Sequence, residues 1–309
     1  MPVKPLRLVL SAWVALAPCL LVQRAAAADP LSSCVFSMTD VAFGSVNVLP
    51  GTAVTSSGLL SVRCPTVATI LGSTLYACIT FPAPRTLAGP SSATLAYDLY
   101  GPSPSTGSWS NTTPVQFPIS LLLNGGTASI PVSAALLAGQ ATAPPGSYVG
   151  TKTATVAFGL LGCASGAFYT TSFVFSVRAT VINSCTISAS NIAFGPLGLF
   201  ASDIDAQGQV VAQCTSGTSY SLGLDGGVSA AANPALRQMR PVSGPGAVTY
   251  GLYRNAARTL PWGNTAGSNV LAGTGTASTQ VFPTYARIPA QATPAPGTYS
   301  DTVVVTVTY

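Results

Sequence analysis

The residues that could do chemistry in this chain are few, and their types argue against catalysis. The sequence contains no His and no Glu, and its acidic residues are seven Asp. General acid–base and nucleophilic catalysis need a base that titrates near neutral pH, most often His. Asp203 and Asp205 form one close carboxylate pair, for which a Ca²⁺ site or a glycosidase-like pair is conceivable. A solvated loop pair is the simpler interpretation, so we expect no enzymatic activity, cofactor or metal.

The overall composition excludes further classes of protein. Charged residues make up 6% of the chain and hydrophobic residues 48%, whereas ordinary soluble proteins carry roughly 25% charged residues. Disordered chains combine high charge with few apolar residues, so this chain is expected to fold. The sequence contains no cluster of Lys and Arg, and therefore lacks the electrostatic footprint of a nucleic-acid-binding protein.

The first residues have the order of a secretory signal peptide. Lys4 and Arg7 precede an apolar stretch over residues 8–22, and small residues follow at Ala25–Ala28. A basic, then apolar, then small-residue order is typical of cleaved export signals. The apolar stretch is shorter than the roughly 20 residues that span a bilayer, which argues against a membrane anchor. We therefore predict a signal peptide over residues 1–28 and a mature chain that begins near Asp29.

The second half of the sequence repeats the first. Cys34, followed by Ala-Phe43-Gly, recurs as Cys185 followed by Ala-Phe194-Gly at the same spacing. Three further matches occur in the same order: Tyr97-Asp-Leu-Tyr100 with Tyr250-Gly-Leu-Tyr253, Trp109-Ser-Asn-Thr112 with Trp262-Gly-Asn-Thr265, and Pro144-Pro-Gly-Ser-Tyr148 with Pro294-Ala-Pro-Gly-Thr-Tyr299. Self-similarity of this kind predicts two homologous modules.

The cysteines follow the repeat. Six of the seven lie after the predicted signal peptide, and an even number in an exported protein indicates disulfides. Fifteen pairings are possible, and equivalence between the modules favours one of them. The predicted bonds are Cys34–Cys64, Cys185–Cys214 and, in the first module alone, Cys78–Cys163.

Apolar periodicity predicts strands throughout the chain. Thr151–Phe158, Ser172–Val181 and Thr302–Tyr309 alternate apolar and polar residues and are rich in β-branched types. The 30 Gly and 25 Pro punctuate the sequence at short intervals, and Ser133–Gln140 could form one short helical turn at most. We predict an all-β fold of two tandem immunoglobulin-like β-sandwich domains.

The repeated motifs resemble the spore coat protein U domain, the pilin module of archaic, Csu-type chaperone–usher pili. The resemblance rests on the first-strand Cys with Ala-Phe-Gly, the Cys-Thr-Ser-Gly at Cys214, the Tyr-x-Leu-Tyr and Trp-x-Asn motifs, and the closing Pro-Gly-Thr-Tyr-Ser-Asp-Thr-Val. It covers essentially the whole mature chain and is strongest after Asn183. The implied domains are a candidate adhesin module over 29–170, a linker or donor-like strand over 171–182, and a pilin module over 183–309.

The resemblance also implies partners. Subunits of this family are sandwiches that lack one strand; a periplasmic chaperone holds each one, an outer-membrane usher exports it, and a neighbouring pilin subunit completes it by strand addition. The edge expected to receive the chaperone or the donated strand is Val303, Val305, Val307 and Tyr309. Phe173–Val181 is either the strand that completes the first module or the first strand of the second.

The start of the predicted mature chain bears on its position in a fibre. A donor strand needs roughly 8–12 residues to fill a groove, and fewer than that separate Asp29 from Cys34. A subunit that accepts but cannot donate a strand is expected at the pilus tip, on the cell surface.

Tip adhesins of this kind bind a host or abiotic surface through apolar loops of the first module. Rigid exposed apolar loops bind by desolvation, and the alternative is that the same residues belong to the core. The candidates in segments without a repeat counterpart are Ile70, Leu71, Leu75, Leu160, Leu161, Phe168 and Tyr169.

Two other functions stay open. One is a structural spore-coat or minor fimbrial protein without a ligand of its own. The other is a secreted carbohydrate-binding module in which Trp109 or Tyr100 stacks on sugar. The second is disfavoured because Trp109 and Trp262 share a repeat position, which indicates a common packing role.

Overall fold

The computed structural model describes residues 34–64, 74–101, 108–109, 112, 114–120, 126–159, 162–163, 169–229 and 233–309. Regular secondary structure in these residues is β-strand apart from a short 3-10 turn at Pro90–Ser92. The all-β prediction is therefore confirmed. The helical turn considered near Ser133 is wrong, since Ser133 pairs with Ser57 in a long antiparallel ladder. No helix in the described residues is long and apolar enough to cross a membrane.

The first module contains ten strands. They are β1 (Val35–Met38), β2 (Val41–Val46), β3 (Val54–Cys64), β4 (Thr74–Thr80), β5 (Thr86–Ala88), β6 (Thr94–Tyr100), β7 (Val115–Ser120), β8 (Gly126–Leu136), β9 (Gly146–Gly159) and β10 (Tyr169–Val181). The strand order is β1-β3-β8-β6-β5-β9-β10-β2, and β4 pairs with β7 and β9. Every pairing is antiparallel except that of β10 with β2, which is parallel.

The second module contains nine strands in its described residues. They are β11 (Cys185–Ala189), β12 (Ile204–Cys214), β13 (Ser219–Leu224), β14 (Arg237–Pro241), β15 (Val248–Tyr253), β16 (Leu271–Thr274), β17 (Gln280–Ile288), β18 (Tyr299–Ser300) and β19 (Val305–Thr308). One sheet has the order β11-β12-β17-β15-β14-β18 and the other the order β16-β13-β19.

The two modules share one strand plan. The ladder β1-β3-β8-β6 corresponds to β11-β12-β17-β15, and β7-β4-β9 corresponds to β16-β13-β19. Strand β5 corresponds to β14, which pairs with β18 as β5 pairs with β9. Strands β2 and β10 have no counterpart strand in the described part of the second module.

Each module has its own apolar core. Alternation along the strands sends every second side chain inward, and large residues such as Phe81 and Phe158 in the first module and Trp262 in the second are fully buried. The indole Nε1 of Trp262 donates to the Leu222 carbonyl at 2.9 Å, which satisfies its polar atom inside the core.

The three predicted disulfides are all present. The bond between Cys185 and Cys214 joins directly opposed residues of β11 and β12, and Cys34–Cys64 joins the same place in the first module. Closing loops of about 30 residues contributes on the order of 3–4 kcal/mol to stability. The third bond, Cys78–Cys163, ties β4 to the segment that follows β9.

Candidate functional site

Strand β10 lies inside the sheet of the first module. It pairs along its whole length with β9, from Tyr169 opposite Phe158 to Val181 opposite Gly146, and its last part pairs with β2. Its inward residues are at most 7% exposed: Phe173, Phe175, Val177, Ala179 and Val181. In the structure this segment is therefore a strand of the first module's sheet.

The inward face of β10 supplies part of the aromatic core. The ring of Phe175 meets Phe81 edge-on at 5.7 Å between centroids, and Phe173 stacks on Phe36 of β1 at 6.4 Å. Pairs in these geometries contribute beyond the area they bury. The strand is consequently an integral part of the first core.

In the part of the chain that the structure describes, the second module has no strand in the position that β10 occupies in the first. Strand β13 pairs with β16 on one side and β19 on the other, and β19 is the sheet edge among the described strands. Residues 190–203, the counterpart of the β2 region, form no strand. Residues 190–203 and strand β19 border the place that β10 fills in the first module, and we call this place the gap. The main chain on both of its sides lacks the ladder partner that β10 provides in the first module.

On the N-terminal side of the gap, apolar side chains are more exposed than their counterparts in the first module. Val41 and Phe43 are buried in the first module, whereas their counterparts Ile192 and Phe194 are only half-buried. The apolar spacing is the same in both copies. The difference in exposure therefore comes from the absence of a covering strand.

The C-terminal side shows the same contrast. Phe158 of β9 is 0% exposed, while its counterpart Tyr309 is 54% exposed. Val303, Val305 and Val307 are half-buried and pack at the margin of the second core. These are the residues predicted as the edge for a chaperone or a donated strand, and that role stays a prediction.

An elongated space separates the two sides. Two cavities of about 360 and 870 Å³ adjoin there, and both are lined by Ile192, Phe194, Met239 and Tyr299. Their walls come from residues 189–200 and 293–305, and we call this space the open groove. Its floor is mostly apolar, with Leu224, Leu252 and Val248 among the lining side chains.

A polar cluster lies at one point of the groove. The Tyr250 hydroxyl donates to Asp301 Oδ2 at 2.7 Å, and the backbone N–H groups of Val228 and Thr302 donate to Oδ1 at 3.0 and 2.8 Å. Burial, followed by the bond to Asp301, raises the pKa of Tyr250 above its usual range. A side chain at Gly227 would collide with the Asp301 carboxylate, so this position requires glycine.

Arg237 is a fully buried cation that the sequence interpretation missed. Its guanidinium donates to the carbonyls of Leu224, Asp225, Trp262 and Pro234, and burial lowers its pKa. Arg85 donates in the same way to the Trp109 carbonyl in the first module. The sequence did indicate this shared role, because an Arg precedes the Tyr-x-Leu-Tyr motif in both copies.

The candidate adhesive residues fall almost entirely outside the described residues. Ile70, Leu71, Leu160, Leu161 and Phe168 lie there, and Leu75 is described only as part of the β4 backbone. Tyr169 begins β10, is half-buried, and has its ring centroid 5.7 Å from that of Phe158. The adhesive role of these residues stays a prediction.

Asp203 and Asp205 are paired with arginines. Arg287 contacts Asp205 at 2.8 Å and Asp203 at 3.0 Å, and Arg258 contacts Asp205 at 3.1 Å. The hydrogen bond from Arg287 is the main cause that lowers the pKa of Asp205. The two carboxylates are solvent-exposed and belong to a surface ion-pair network with these arginines.

The two repeated tryptophans have packing roles. The backbone N–H of Trp109 donates to the Leu99 carbonyl at 2.7 Å and the backbone N–H of Trp262 to the Leu252 carbonyl at 2.8 Å, so the two residues occupy equivalent places. The Trp109 ring stacks on Phe81 at 4.8 Å between centroids. A sugar platform at Trp109 therefore has little support.

Comparison with known proteins agrees with the duplicated fold. The Spore Coat Protein U domain matches the chain twice, over residues 20–155 and 171–306. The chain belongs to this family. The second spore coat protein U copy begins within β10, so this strand is part of the second copy in sequence but part of the first module's sheet in the structure.

Two relatives show how far the likeness extends. Protein U of Myxococcus xanthus is 34% identical over 113 residues, which are 35% of this chain and 62% of that protein. A chain of the crystal structure of the CsuC–CsuE chaperone–tip adhesion subunit pre-assembly complex, from archaic chaperone–usher Csu pili of Acinetobacter baumannii, aligns with a TM-score of 0.56 and 16% identity. That alignment covers 89% of this chain and all of the other, and it shows a shared fold.

Proposed function

We propose that the protein is a tip subunit of a chaperone–usher pilus, and that its second module is completed by a strand from a neighbouring subunit. The observation that supports this most directly is the contrast between the modules. Strand β10 fills one sandwich, and the same place in the other is the open groove.

Strand addition accounts for the features of the groove. An added strand would bond with the free edge of β19 and with the 190–203 segment, and its alternate side chains would cover the half-buried residues beneath. Before assembly, an exposed edge above an open core is an aggregation hazard. A periplasmic chaperone that occupies the groove removes this hazard until the usher brings in the next subunit.

The tip position is supported by the two family matches. The matches begin at residues 20 and 171, equally far before Cys34 and Cys185. In the second copy this leading part is β10, whereas in the first it falls largely within the predicted signal peptide. Cleavage near Asp29 would remove the donor segment of the first copy, and the subunit would accept a strand without donating one.

Adhesion is assigned to the first module. The Cys78–Cys163 bond ties Cys163, which lies between the candidate residues Leu161 and Phe168 in the sequence, to β4. A covalent tie lowers the conformational entropy that a segment loses when it binds. Apolar side chains presented there would bind a host or abiotic surface by desolvation.

Co-expression with the chaperone encoded beside the gene tests the assembly proposal. We expect the full chain to co-purify with that chaperone, and Val305→Asp to abolish the complex because Val305 faces the groove. Val304→Asp is the matched control, since Val304 is 54% exposed on the other face of the same strand. Thermal unfolding of the second module, which contains both residues, reports whether each variant has folded. Equal loss in both variants with the second module folded, or no complex with the wild-type chain, would contradict the proposal.

A further inference from the structure

The open groove presents a charged side chain at a position where the filled one has glycine. Asp301 is the one charged side chain among the described residues that line the two cavities. By the repeat, its counterpart is Gly150 of β9, two residues after the shared Pro-Gly-[Ser/Thr]-Tyr. Gly150 lies opposite Val177, the central inward residue of β10. In the first module the apolar Val177 therefore lies opposite a glycine. In the second module a strand in the same place would meet the carboxylate of Asp301.

The charge of Asp301 is not balanced within the groove. Its oxygens accept hydrogen bonds from the neutral Tyr250 hydroxyl and from two backbone N–H groups. The nearby cation Arg237 gives its hydrogen bonds to main-chain carbonyls. Among the described residues Asp301 forms no ion pair with a cationic side chain.

An arriving strand would change the solvation of this carboxylate. Asp301 is half-buried and lines the open cavity. A strand laid over it would displace water, and a desolvated carboxylate without a cationic partner is costly. Opposed residues of neighbouring strands have Cβ atoms about 5 Å apart, so a Lys or Arg at the facing position can reach Asp301.

We propose that the open groove selects a donor strand carrying Lys or Arg at the position that corresponds to Val177, among otherwise apolar inward residues. This inference rests on the proposed function. It makes Asp301 a specificity-determining residue and excludes strands with the all-apolar inward pattern of β10 as the preferred occupant.

Synthetic peptides based on Tyr169–Val181 test this inference with the full mature chain. Binding is measured for the unmodified β10 peptide, for peptides with Val177→Lys or Val177→Glu, and for one with Phe175→Lys as the register control. We expect the Val177→Lys peptide to bind about tenfold or more tightly than the unmodified peptide and the Glu peptide to bind worst. The preference should disappear in the Asp301→Asn chain and weaken in high salt.

The outcomes separate this inference from the function on which it rests. Equal or weaker binding of the Val177→Lys peptide, or an equal gain from Phe175→Lys, would overturn the selection by Asp301 and leave strand addition intact. If no peptide binds a chain in which both modules are folded, strand addition itself is contradicted. The Glu peptide keeps the test decisive if Asp301→Asn fails to fold, because it needs only the wild-type chain.

Discussion

Val48 and Leu199 occupy equivalent positions in the two modules, yet Val48 is 8% exposed and Leu199 is 81% exposed. Val48 follows β2, whose edge is covered by β10. Leu199 follows Phe194 in the segment that no described strand covers. Similar apolar residues are thus core in one copy and surface in the other, according to whether a neighbouring strand is present.

Strand addition should protect specific amides from hydrogen exchange. In the free chain, amides of residues 191–199 and the amides of 305–308 that point away from β13 are expected to exchange quickly, because they lack a ladder partner. Chaperone or donor-strand binding should slow them, and mass spectrometry of peptic fragments measures the change. Amides of β2 and β10 should be slow in both states. Rapid exchange in β10 of the free chain would contradict its place in the first core.

Truncation of Phe175 should destabilise the first module. Phe175→Ala removes a buried ring that packs on Phe81 and should cost about 3–5 kcal/mol. Val174→Ala, at a position 59% exposed on the other face of β10, should change stability by about 0.5 kcal/mol or less. Urea unfolding followed through each module measures the difference. Equal effects of the two substitutions would mean that β10 is not held as described.

Tyr97 should make the stability of the first module fall at alkaline pH. Burial, the largest cause, raises the pKa of Tyr97 to about 12, whereas tyrosine in an unfolded chain titrates near about 10. The folded state then holds the proton more tightly, so the stabilisation is complete below about pH 10 and is lost as pH rises through about 12. The loss amounts to about 2–3 kcal/mol.

Substitution by phenylalanine tests this dependence. Tyr97→Phe should flatten the decline in unfolding free energy between about pH 10 and 12, measured by denaturant titration at each pH. The buried Tyr97 hydroxyl has no hydrogen-bond partner among the described residues, so removing it should not destabilise the module at neutral pH. An unchanged slope in the variant would show that another group titrates.

Charges in the proposed adhesive loop should abolish surface binding and spare assembly. Leu160→Asp with Leu161→Asp replaces apolar contacts by carboxylates that resist desolvation. Attachment of piliated cells to plastic and to host cells measures adhesion, and the amount of surface pili measures assembly. Val35→Asp is the control, at a position 63% exposed on β1. Undiminished attachment of the double variant would remove this loop as the binding site.

The disulfides and the fold class could be predicted because both depend on local or repeated features. Equivalent positions in two copies favour Cys34–Cys64 and Cys185–Cys214, which leaves Cys78 with Cys163. Alternation over Ser172–Val181 predicted a strand correctly, since that pattern has a period of two. Its neighbours could not be predicted, because pairing with Gly150 and Val41 depends on contacts distant in the chain.

The candidate site was only half predictable. The C-terminal edge was expected from its alternating valines, but the opposite wall was not, because Ile192 and Phe194 have the same spacing as the buried Val41 and Phe43. Arg237 was missed since a charged residue usually indicates surface. The arginines that pair with Asp203 and Asp205 come from elsewhere in the chain, and only folding brings them together.

The direction of β10 has a mechanical consequence. The chain leaves this strand and continues directly into β11 of the second module. In the tip subunit proposed above, tension between a bound surface and a fibre would therefore enter the first module along β10. A pull along the strand axis loads its hydrogen bonds with β9 and β2 in shear, all together, instead of breaking them one after another. The strand that completes the core is therefore also the element that would resist detachment under flow.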